Sequence, residues 1–416
     1  MTQAYIVDAV RTPRGIGKKG KGALADLHPQ ELAATVLRAL KARQSLAEDV
    51  VEDVIWGTSS QYGLQGADIG RQAALYGGLG IATSGVTLDR FCGASLTATN
   101  LAAASAMSGT DDLIIAGGSE MMSFTADFGG RLREAGFGTN AFGGNQKLQD
   151  RYPQGHQGVA ADFIAAKIGA TRQELDAYGV ESQRRAATAI QEGRFDKSII
   201  PVVDDSGAVI LARDEHPRPG TTLEALAQMK PAFAAFKDMP SGPGQPTFGQ
   251  LVAKVYPDIA FEPVHHAGTS SGMVDGAAAI LLASSKGVEK HGLQPRARIV
   301  AMANHANDPT LMLGAPPGAI AKVLAKAGLT KNDIDVFEIN EAFAAIVELA
   351  IREHELDRAK VNPNGGAIAL GHPIGASGAI LVGTALDELE RSGGRYALIT
   401  MCTGGGMAPA LVIERV

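Results

Sequence analysis

The sequence predicts an α/β protein built from two similar halves, the first of which is interrupted by an inserted region. The continuous apolar run at residues 113–118 is typical of a strand that is buried on both faces of a sheet, and residues 275–283 have a similar buried-strand composition. A weak internal repeat is the second observation. Residues 36–56 and residues 323–339 each have the pattern of a helix, a short acidic turn and a strand.

Other parts of the chain extend this repeat. Residues 4–10 are similar to residues 297–303, and both have strand composition. The tripeptide Gly-Ala-Ser occurs at 93–95 and again at 375–377, and each copy is followed by a helix of small residues and a glycine-ended strand. Because these units come in the same order in both halves, we interpret the chain as an internal duplication.

The repeat predicts four segments. Residues 1–122 form the first half, residues 123–264 an inserted domain, residues 265–290 a return to the first half, and residues 291–416 the second half. The insertion is predicted because the composition changes after residue 122, with a glycine-rich, irregular stretch at 129–145. We expect the insertion to be an excursion from the first half and not a core of its own.

The composition excludes several classes of function. A formal net charge of -6 gives no basic field for nucleic acid. No apolar run approaches the roughly 20 residues of a membrane span, and the N-terminus enters a strand-like run without a signal segment. We therefore expect no membrane insertion. The 2 cysteines are far apart and do not make a disulfide framework, which favours reduced thiols and a cytoplasmic location.

Cys92 is the first candidate reactive group. It precedes residues 96–107, which are almost all small or apolar and predict a tightly packed helix. A thiol at a helix N-terminus meets unpaired N–H groups and the positive end of the helix dipole, so we expect the pKa of Cys92 to be lowered. The alternative is a buried structural cysteine.

Three motifs in the second half carry the other candidates: Asn-Glu-Ala-Phe-Ala at 340–344, Gly-His-Pro-Ile-Gly at 371–375 and Cys-Thr-Gly-Gly-Gly at 402–406. If the halves pack as a pseudo-dimer, the two Gly-Ala-Ser helices meet and Cys92 faces these motifs. Taken singly, the histidine fits a turn, the asparagine a strand-end cap and the second cysteine an inert buried thiol. No Cys-x-x-Cys spacing supports a metal site, and none is predicted.

In this order, with Cys92 upstream, the motifs resemble those of the thiolase family of acetyl-CoA acyltransferases and acetyltransferases. The resemblance spans essentially the whole chain. It implies a duplicated, thiolase-like fold of five layers, α-β-α-β-α, with an inserted loop domain. It also implies a homodimer or homotetramer, CoA and acyl-CoA as substrates, and no permanently bound cofactor or metal.

The resemblance also implies a role for each catalytic candidate. Cys92 would be the nucleophile that holds the acyl group. His372 would take the Cys92 proton and later activate the CoA thiol, and Cys402 would be the second acid and base. Asn340 would hold a water that binds the thioester oxygen together with His372. The backbone N–H groups of Cys92 and Gly404 would form the other oxyanion hole.

The predicted CoA contacts lie in and after the inserted region. Residues 218–224 resemble the family segment that contacts the adenine and phosphates, and Arg218 is the candidate cation. An ordinary surface charge is the alternative for Arg218. Residues 268–272 resemble the pantetheine-contacting stretch, with Ser271 as the candidate hydroxyl. Ala225 stands where relatives usually have serine, which leaves the details of the CoA contacts open.

The predicted reaction is CoA-dependent cleavage of 3-ketoacyl-CoA to acyl-CoA and acetyl-CoA, a reversible Claisen condensation, through an acyl-enzyme on Cys92. A role in the degradation of fatty acids or related acyl-CoA compounds is expected, because equilibrium favours cleavage in this class. The alternatives are a biosynthetic acetyltransferase that forms acetoacetyl-CoA, a ketoacyl synthase of the same superfamily, and a thiolase-like acyl-CoA or lipid-binding protein. Cys402 in its motif argues against the synthase, and the presence of every reactive group argues against a mere binding protein.

Overall fold

The computed structural model describes residues 2–134, 145–242 and 244–416. The strands in these ranges are, in chain order, β1 (Ala4–Arg11), β2 (Gly15–Ile16), β3 (Asp53–Gly57), β4 (Ser84–Leu88), β5 (Leu113–Met121), β6 (Val202–Val203), β7 (Val209–Leu211), β8 (Val274–Ser284), β9 (Ala297–Ala306), β10 (Val336–Ile339), β11 (Tyr396–Thr400) and β12 (Met407–Arg415).

The α-helices in the same ranges are α1 (Pro29–Arg43), α2 (Ile69–Tyr76), α3 (Ala94–Ser108), α4 (Met122–Glu134), α5 (Gln146–Arg151), α6 (Gln157–Lys167), α7 (Arg172–Gln191), α8 (Leu223–Ala227), α9 (Ala234–Lys237), α10 (Phe248–Val255), α11 (Ser285–His291), α12 (Pro316–Ala327), α13 (Ala344–His354), α14 (Ala367–Leu370) and α15 (Ser377–Ser392). No helix in the described ranges combines the length and apolarity needed to cross a membrane.

One large sheet carries both halves, in the strand order β10-β11-β12-β9-β1-β8-β5-β3-β4, and β2 pairs with β8. Outwards from the pair β1 and β9, where the halves meet, the strand order is β1-β8-β5-β3 in the first half and β9-β12-β11-β10 in the second half. Equivalent units of the repeat therefore take equivalent places. Tyr5 and Ile6 of β1 join the halves through an antiparallel pair with β9. The predicted duplicated α/β fold is confirmed.

Side chains alternate between two helical layers along the central strands. In β8, Ile280 and Leu282 pack towards α3 and α15, whereas Leu281 packs towards α1. In β12, Ile413 faces the central helices and Val412 faces α12. The layers are therefore outer helices, the first-half strands of the sheet, α3 with α15, the second-half strands of the sheet, and outer helices. Each fully buried Leu, Ile or Val side chain contributes about 1.5–3 kcal/mol to the stability of this arrangement.

The two central helices touch at their N-terminal ends. The Ala379 amide of α15 donates a hydrogen bond to the Ser95 hydroxyl of α3 at 3.0 Å. A Cβ at Gly378 would lie 2.3 Å from the amide nitrogen of Leu96, so only glycine permits this approach. The two Gly-Ala-Ser copies thus meet at the middle of the molecule, as the repeat predicts.

The inserted region contributes α4 to α10 and a small sheet of β6 and β7. Its apolar side chains share a cluster with second-half residues such as Leu311 and Phe343. Asp214 pairs with Arg11 of β1 at 2.7 Å and ties the region to the first half. The prediction of irregular structure at 129–145 is wrong for residues 129–134, which belong to α4. Residues 135–144 of that stretch lie outside the described residues. The four domain boundaries stay predictions.

Candidate active site

Cys92 lies in a tight turn between β4 and α3. Phe91 adopts a left-handed backbone conformation with φ 49°, which costs a non-glycine residue about 1–2 kcal/mol. The Asp89 side chain accepts a hydrogen bond from the Phe91 amide at 2.6 Å and stabilises the turn. Gly93 then begins α3 as its cap. The half-buried thiol of Cys92 is therefore held at the N-terminal end of a central helix.

Cys402 is fully buried in the loop between β11 and β12. The chain neighbours of the two cysteines are in contact. A Cβ at Gly93 would lie 2.5 Å from the Thr403 side chain, and a Cβ at Gly404 would lie 3.0 Å from the Phe91 ring. Glycine at both positions lets the two loops pack closely. The structure thus brings both predicted thiols to one place.

His372 is buried in the loop between α14 and α15. Its amide donates to the carbonyl oxygen of Gly272 at 2.8 Å, and its Nδ1 lies 2.5 Å from the Ser377 hydroxyl. Ser377 donates its single proton to the Pro373 carbonyl oxygen at 2.9 Å. Because that proton is used, Nδ1 of His372 is the donor to Ser377. The neutral ring then carries its lone pair on Nε2, as a base requires.

Asn340 follows β10 directly and faces the same imidazole. Its backbone N–H donates a hydrogen bond to the Thr400 carbonyl oxygen at 3.2 Å, and this bond holds the end of β10 beside β11. Its Nδ2 lies 3.5 Å from Nε2 of His372. The second-half candidates Asn340 and His372 are therefore neighbours, on the lone-pair side of the ring.

The environment of Cys92 raises the pKa of its thiol. Burial raises the pKa to about 12, and the carboxylates of Glu120 and Asp89 add to the rise. The lowered pKa expected from the helix N-terminus is wrong, because the cost of burying a thiolate exceeds the stabilisation from backbone N–H groups. With its pKa raised in this direction, the thiol stays protonated at neutral pH. Cys92 therefore needs a base to become a nucleophile.

The other two reactive groups are also held uncharged. Burial, and then the positive charge of Arg14, lower the pKa of His372 to about 4. Burial, and then Cys92, raise the pKa of Cys402 far above the ordinary thiol value. At neutral pH the imidazole of His372 and the thiols of Cys92 and Cys402 are therefore all uncharged. Such a site can move a proton within itself without exchanging charge with water.

The two predicted CoA contacts lie at different depths. The Ser271 amide donates to the Ala342 carbonyl oxygen at 2.9 Å, so its loop pairs with the motif that begins at Asn340. Arg218 is exposed on the inserted region, and its Nη1 donates to the carbonyl oxygens of residues 215, 216 and 217. The His216 ring connects the two loops, because a Cβ at Gly272 would meet it at 2.0 Å. The loop of Ser271 thus contacts the segments that carry Asn340 and His372, whereas Arg218 is exposed on the inserted region.

Three residues that shape the site were not predicted from the sequence. Ser377 orients His372, and it could have been found because it ends the second Gly-Ala-Ser copy, five residues after the histidine. Arg14 donates to the Gly371 carbonyl oxygen at 2.9 Å. Glu120 accepts a hydrogen bond from the Gly375 amide at 3.0 Å. Arg14 and Glu120 carry no local signal, since both come from the first half and act on a second-half loop.

Comparison with known proteins gives a consistent result. A family model described as "Thiolase, N-terminal domain" matches residues 4–236, and one described as "Thiolase, C-terminal domain" matches residues 293–415. A steroid 3-ketoacyl-CoA thiolase, FadA6, of Mycobacterium tuberculosis is 41% identical over 100% of this chain and 95% of its own length. A beta-ketoadipyl-CoA thiolase of Acinetobacter baylyi is 40% identical over 100% of both chains. A 3-oxoadipyl-CoA/3-oxo-5,6-dehydrosuberyl-CoA thiolase of Escherichia coli is 39% identical, again over 100% of both chains.

The fold, the geometry of the site and the comparisons all indicate the same class of enzyme, a CoA-dependent acyltransferase. The chain belongs to the thiolase family. The resemblance found in the motifs is therefore confirmed, together with the predicted reaction type, the thiolytic cleavage of 3-ketoacyl-CoA.

Proposed function

We propose that Cys92 is the acyl-carrying nucleophile of this thiolase, that His372 is its base, and that Cys402 is the second acid and base. One observation carries the proposal. The chain neighbours of Cys92 and Cys402 are in van der Waals contact, while Asn340 and the unprotonated nitrogen of His372 lie beside each other. A nucleophile, a base and a proton donor close to one another are what cleavage of a C–C bond beside a ketone requires.

In the first half-reaction, Nε2 of His372 takes the proton of Cys92. The thiolate attacks the 3-keto carbon of the substrate, and the bond between the α- and β-carbons breaks. Cys402 donates its proton to the acetyl-CoA carbanion, and the acyl group stays on Cys92 as a thioester. The strongly raised pKa of Cys402 supports this role, because the thiol keeps its proton until a strong base forms next to it.

After acetyl-CoA leaves, a proton passes from the imidazolium of His372 to the thiolate of Cys402, which restores both groups. In the second half-reaction, His372 takes the proton of the incoming CoA thiol. The CoA thiolate attacks the thioester carbon, acyl-CoA forms, and Cys92 leaves as thiolate and regains the proton from His372. The sum is 3-ketoacyl-CoA plus CoA to acyl-CoA plus acetyl-CoA.

Two oxyanions form in this sequence, and two sets of donors are proposed for them. Asn340, through a water, and His372 bind the thioester oxygen of acetyl-CoA. The backbone N–H groups of Cys92 and Gly404 bind the oxygen of the tetrahedral intermediate on the nucleophile. The contact between Gly404 and the turn of Cys92 supports this assignment. Removal of one such donor in other enzymes costs about 2.7–4 kcal/mol of barrier.

Arg218 and Ser271 are proposed to bind CoA, at its phosphates and adenine and at its pantetheine respectively. Arg218→Ala is expected to raise the KM for CoA several-fold with little change in kcat, because it contacts no reacting atom. Arg213→Ala is the matched control, an exposed arginine on the same segment. An unchanged KM for CoA in Arg218→Ala would leave the arginine an ordinary surface charge.

A degradative thiolase is proposed, and the main competitor is a biosynthetic acetyltransferase. The test is a thiolysis assay that follows loss of 3-ketoacyl-CoA for short linear, dicarboxylic and ring-bearing acyl groups. The relatives named above act on substrates of the last two kinds. A degradative enzyme cleaves one of the larger substrates faster than acetoacetyl-CoA, and the biosynthetic type shows the reverse. Binding of acyl-CoA without turnover of any substrate would contradict both enzyme functions.

A homo-oligomer is proposed, with β4 at the interface. β4 is the last strand at one end of the sheet, and apolar side chains in it and just before it are exposed, Val86 by 46% and Ile81 by 84%. An apolar edge strand pairs readily with a second copy. Light scattering after gel filtration should give at least a dimer, which Val86→Lys should dissociate. A monomeric wild-type protein would contradict the proposal.

The cytoplasm is the proposed location, because the reaction needs both cysteine thiols reduced. Neither Cys92 nor Cys402 is in a disulfide, and cytosolic redox systems keep thiols in this state. Fractionation of the source cells, with detection of the protein by antibody, tests this directly.

A further inference from the structure

Glu120 is a buried carboxylate at the contact between the two halves. It lies in β5, and only 1% of its surface is exposed. The backbones around it approach so closely that a Cβ at Gly118 would lie 2.1 Å from the carbonyl oxygen of Gly375. Because Gly375 follows His372 by three residues, Glu120 lies beside the loop that carries the proposed base.

The hydrogen bonds of Glu120 favour its charged form. One oxygen, Oε2, accepts from the Ser59 amide at 2.9 Å, the Ser59 hydroxyl at 2.8 Å and the Gly375 amide at 3.0 Å. The other accepts from Nε2 of Gln65 at 2.8 Å. Gln65 is oriented by its own Oε1, which accepts from the Met121 amide at 2.7 Å. Burial raises the pKa of Glu120, and the hydrogen bonds from Ser59, Gln65 and Gly375 oppose this rise because they favour the carboxylate.

These bonds connect the two catalytic loops. Thr58, the neighbour of Ser59, donates its amide to the carbonyl oxygen of Leu88 at 3.2 Å, and Leu88 is the last residue of β4 before the Cys92 turn. On the other side, Gly375 belongs to the His372 loop. One carboxylate therefore joins the segment that leads into the nucleophile to the segment that carries the base.

The charge of Glu120 also acts on the nucleophile. The charges that act on Cys92 are those of Asp89 on its own turn and Glu120 from β5, and Cys92 in turn raises the pKa of Cys402. Both carboxylates disfavour the thiolate and raise the pKa of Cys92. Asp89 lies on the exposed side of the turn, where solvent weakens its effect, whereas Glu120 is buried.

We propose, on the basis of the function above, that Glu120 is a positioning residue that sets the spacing between the Cys92 turn and the His372 loop. Its negative charge, together with burial, disfavours the thiolate of resting Cys92, whose proton leaves through His372.

The test uses Glu120→Gln, which keeps the volume and removes the charge, and Glu120→Asp, which keeps the charge and shortens the reach. For Glu120→Gln we expect kcat to fall about 10- to 100-fold and the pH profile of Cys92 alkylation by iodoacetamide to move to lower pH. For Glu120→Asp we expect a similar loss of kcat with the wild-type alkylation profile. Glu348→Gln is the control, a buried carboxylate that pairs with Arg352 and Arg358 away from the site, and it should leave the alkylation profile unchanged.

A Glu120→Gln protein with wild-type kcat and a wild-type alkylation profile would overturn the proposal. If Glu120→Gln does not fold, the kcat of Glu120→Asp decides the positioning role, and wild-type kcat there would overturn it. The alkylation profile is measured without substrate. It therefore tests Glu120 even if the wild-type protein cleaves none of the 3-ketoacyl-CoA substrates, an outcome that would contradict the proposed function alone.

Discussion

Nδ1 of His372 lies 2.5 Å from the hydroxyl oxygen of Ser377, whose own proton is donated to the Pro373 carbonyl oxygen. This relationship decides which nitrogen of the imidazole is the base. With Nδ1 occupied as a donor, Nε2 carries the lone pair next to Asn340. One serine at the start of α15 thus defines the tautomer on which the proposed chemistry depends.

Ser377→Ala should slow acylation of Cys92 about 2- to 12-fold, because a hydrogen bond that orients the base is lost and such bonds contribute about 0.5–1.5 kcal/mol. Rapid-quench measurement of the acyl-enzyme gives the rate. Ser95→Ala is the matched control, since Ser95 ends the first Gly-Ala-Ser copy and bonds to the Ala379 amide. The control should lose stability and keep its acylation rate. Equal acylation rates in wild-type and Ser377→Ala protein would show that a contact other than Ser377 fixes the tautomer of His372.

The pH dependence of kcat/KM should reflect the lowered pKa of His372. Since burial and Arg14 lower this pKa to about 4, the base form is already populated above about pH 5. Activity should therefore show no inflection near pH 6.5, the ordinary histidine value, and should fall only as the pH approaches 4. Initial rates between pH 5 and 8 test this, with protein stability checked at each pH. An inflection near 6.5 would mean that the imidazole is solvated in the working enzyme.

Asn340→Ala should lower kcat about 10²- to 10³-fold with a small effect on the KM for acyl-CoA, because the proposed oxyanion contact strengthens only in the transition state. Steady-state kinetics separate the two parameters. Asn364→Ala removes another buried amide, which donates to Glu388 at 3.0 Å away from the site. That variant is expected to affect stability more than kcat. A rise in KM with unchanged kcat in Asn340→Ala would assign the amide to substrate binding.

Gly404→Ala should reduce kcat, because the new Cβ would lie 3.0 Å from the Phe91 ring and push the ring against the strained Cys92 turn. Gly383→Ala is the comparison. Its Cβ would meet only the Ala9 side chain, at an ordinary 3.4 Å, and an alanine within α15 should raise the free energy of unfolding by about 0.5–1 kcal/mol. Kinetics and thermal melts of both variants distinguish them. Full activity of Gly404→Ala would show that the two loops have room to separate.

The duplicated fold could be predicted because its signals are local. Strand composition in β5 and β8, and the helix-turn-strand units around α1 and α12, are visible in short windows of sequence. The meeting of Cys92 with the second-half motifs also followed from the repeat, because equivalent helices of a pseudo-dimer face each other. Ser377 belonged to that repeat as well, although its hydrogen bond to His372 needed the structure.

The pKa of Cys92 could not be predicted from the helix N-terminus alone. Its direction depends on how deeply the thiol is buried and on the charge of Glu120, which is 28 positions away in the chain. Glu120 itself has no signal in a window of sequence, since it is one polar residue at the end of an apolar strand. Its significance comes from Gly375, a residue of the other half. Long-range electrostatics of this kind depends on distances that only the fold sets.

The central claim is that Cys92 carries the acyl group and that His372 removes its proton. The most direct test mixes the protein briefly with an acyl-CoA in the absence of free CoA and determines the mass of each cysteine peptide. We expect one acyl group on the Cys92 peptide, none on the Cys402 peptide, and a rate that falls about 10²- to 10⁴-fold in His372→Ala. An unmodified Cys92 in protein that still turns over substrate, or undiminished acylation in His372→Ala, would contradict it.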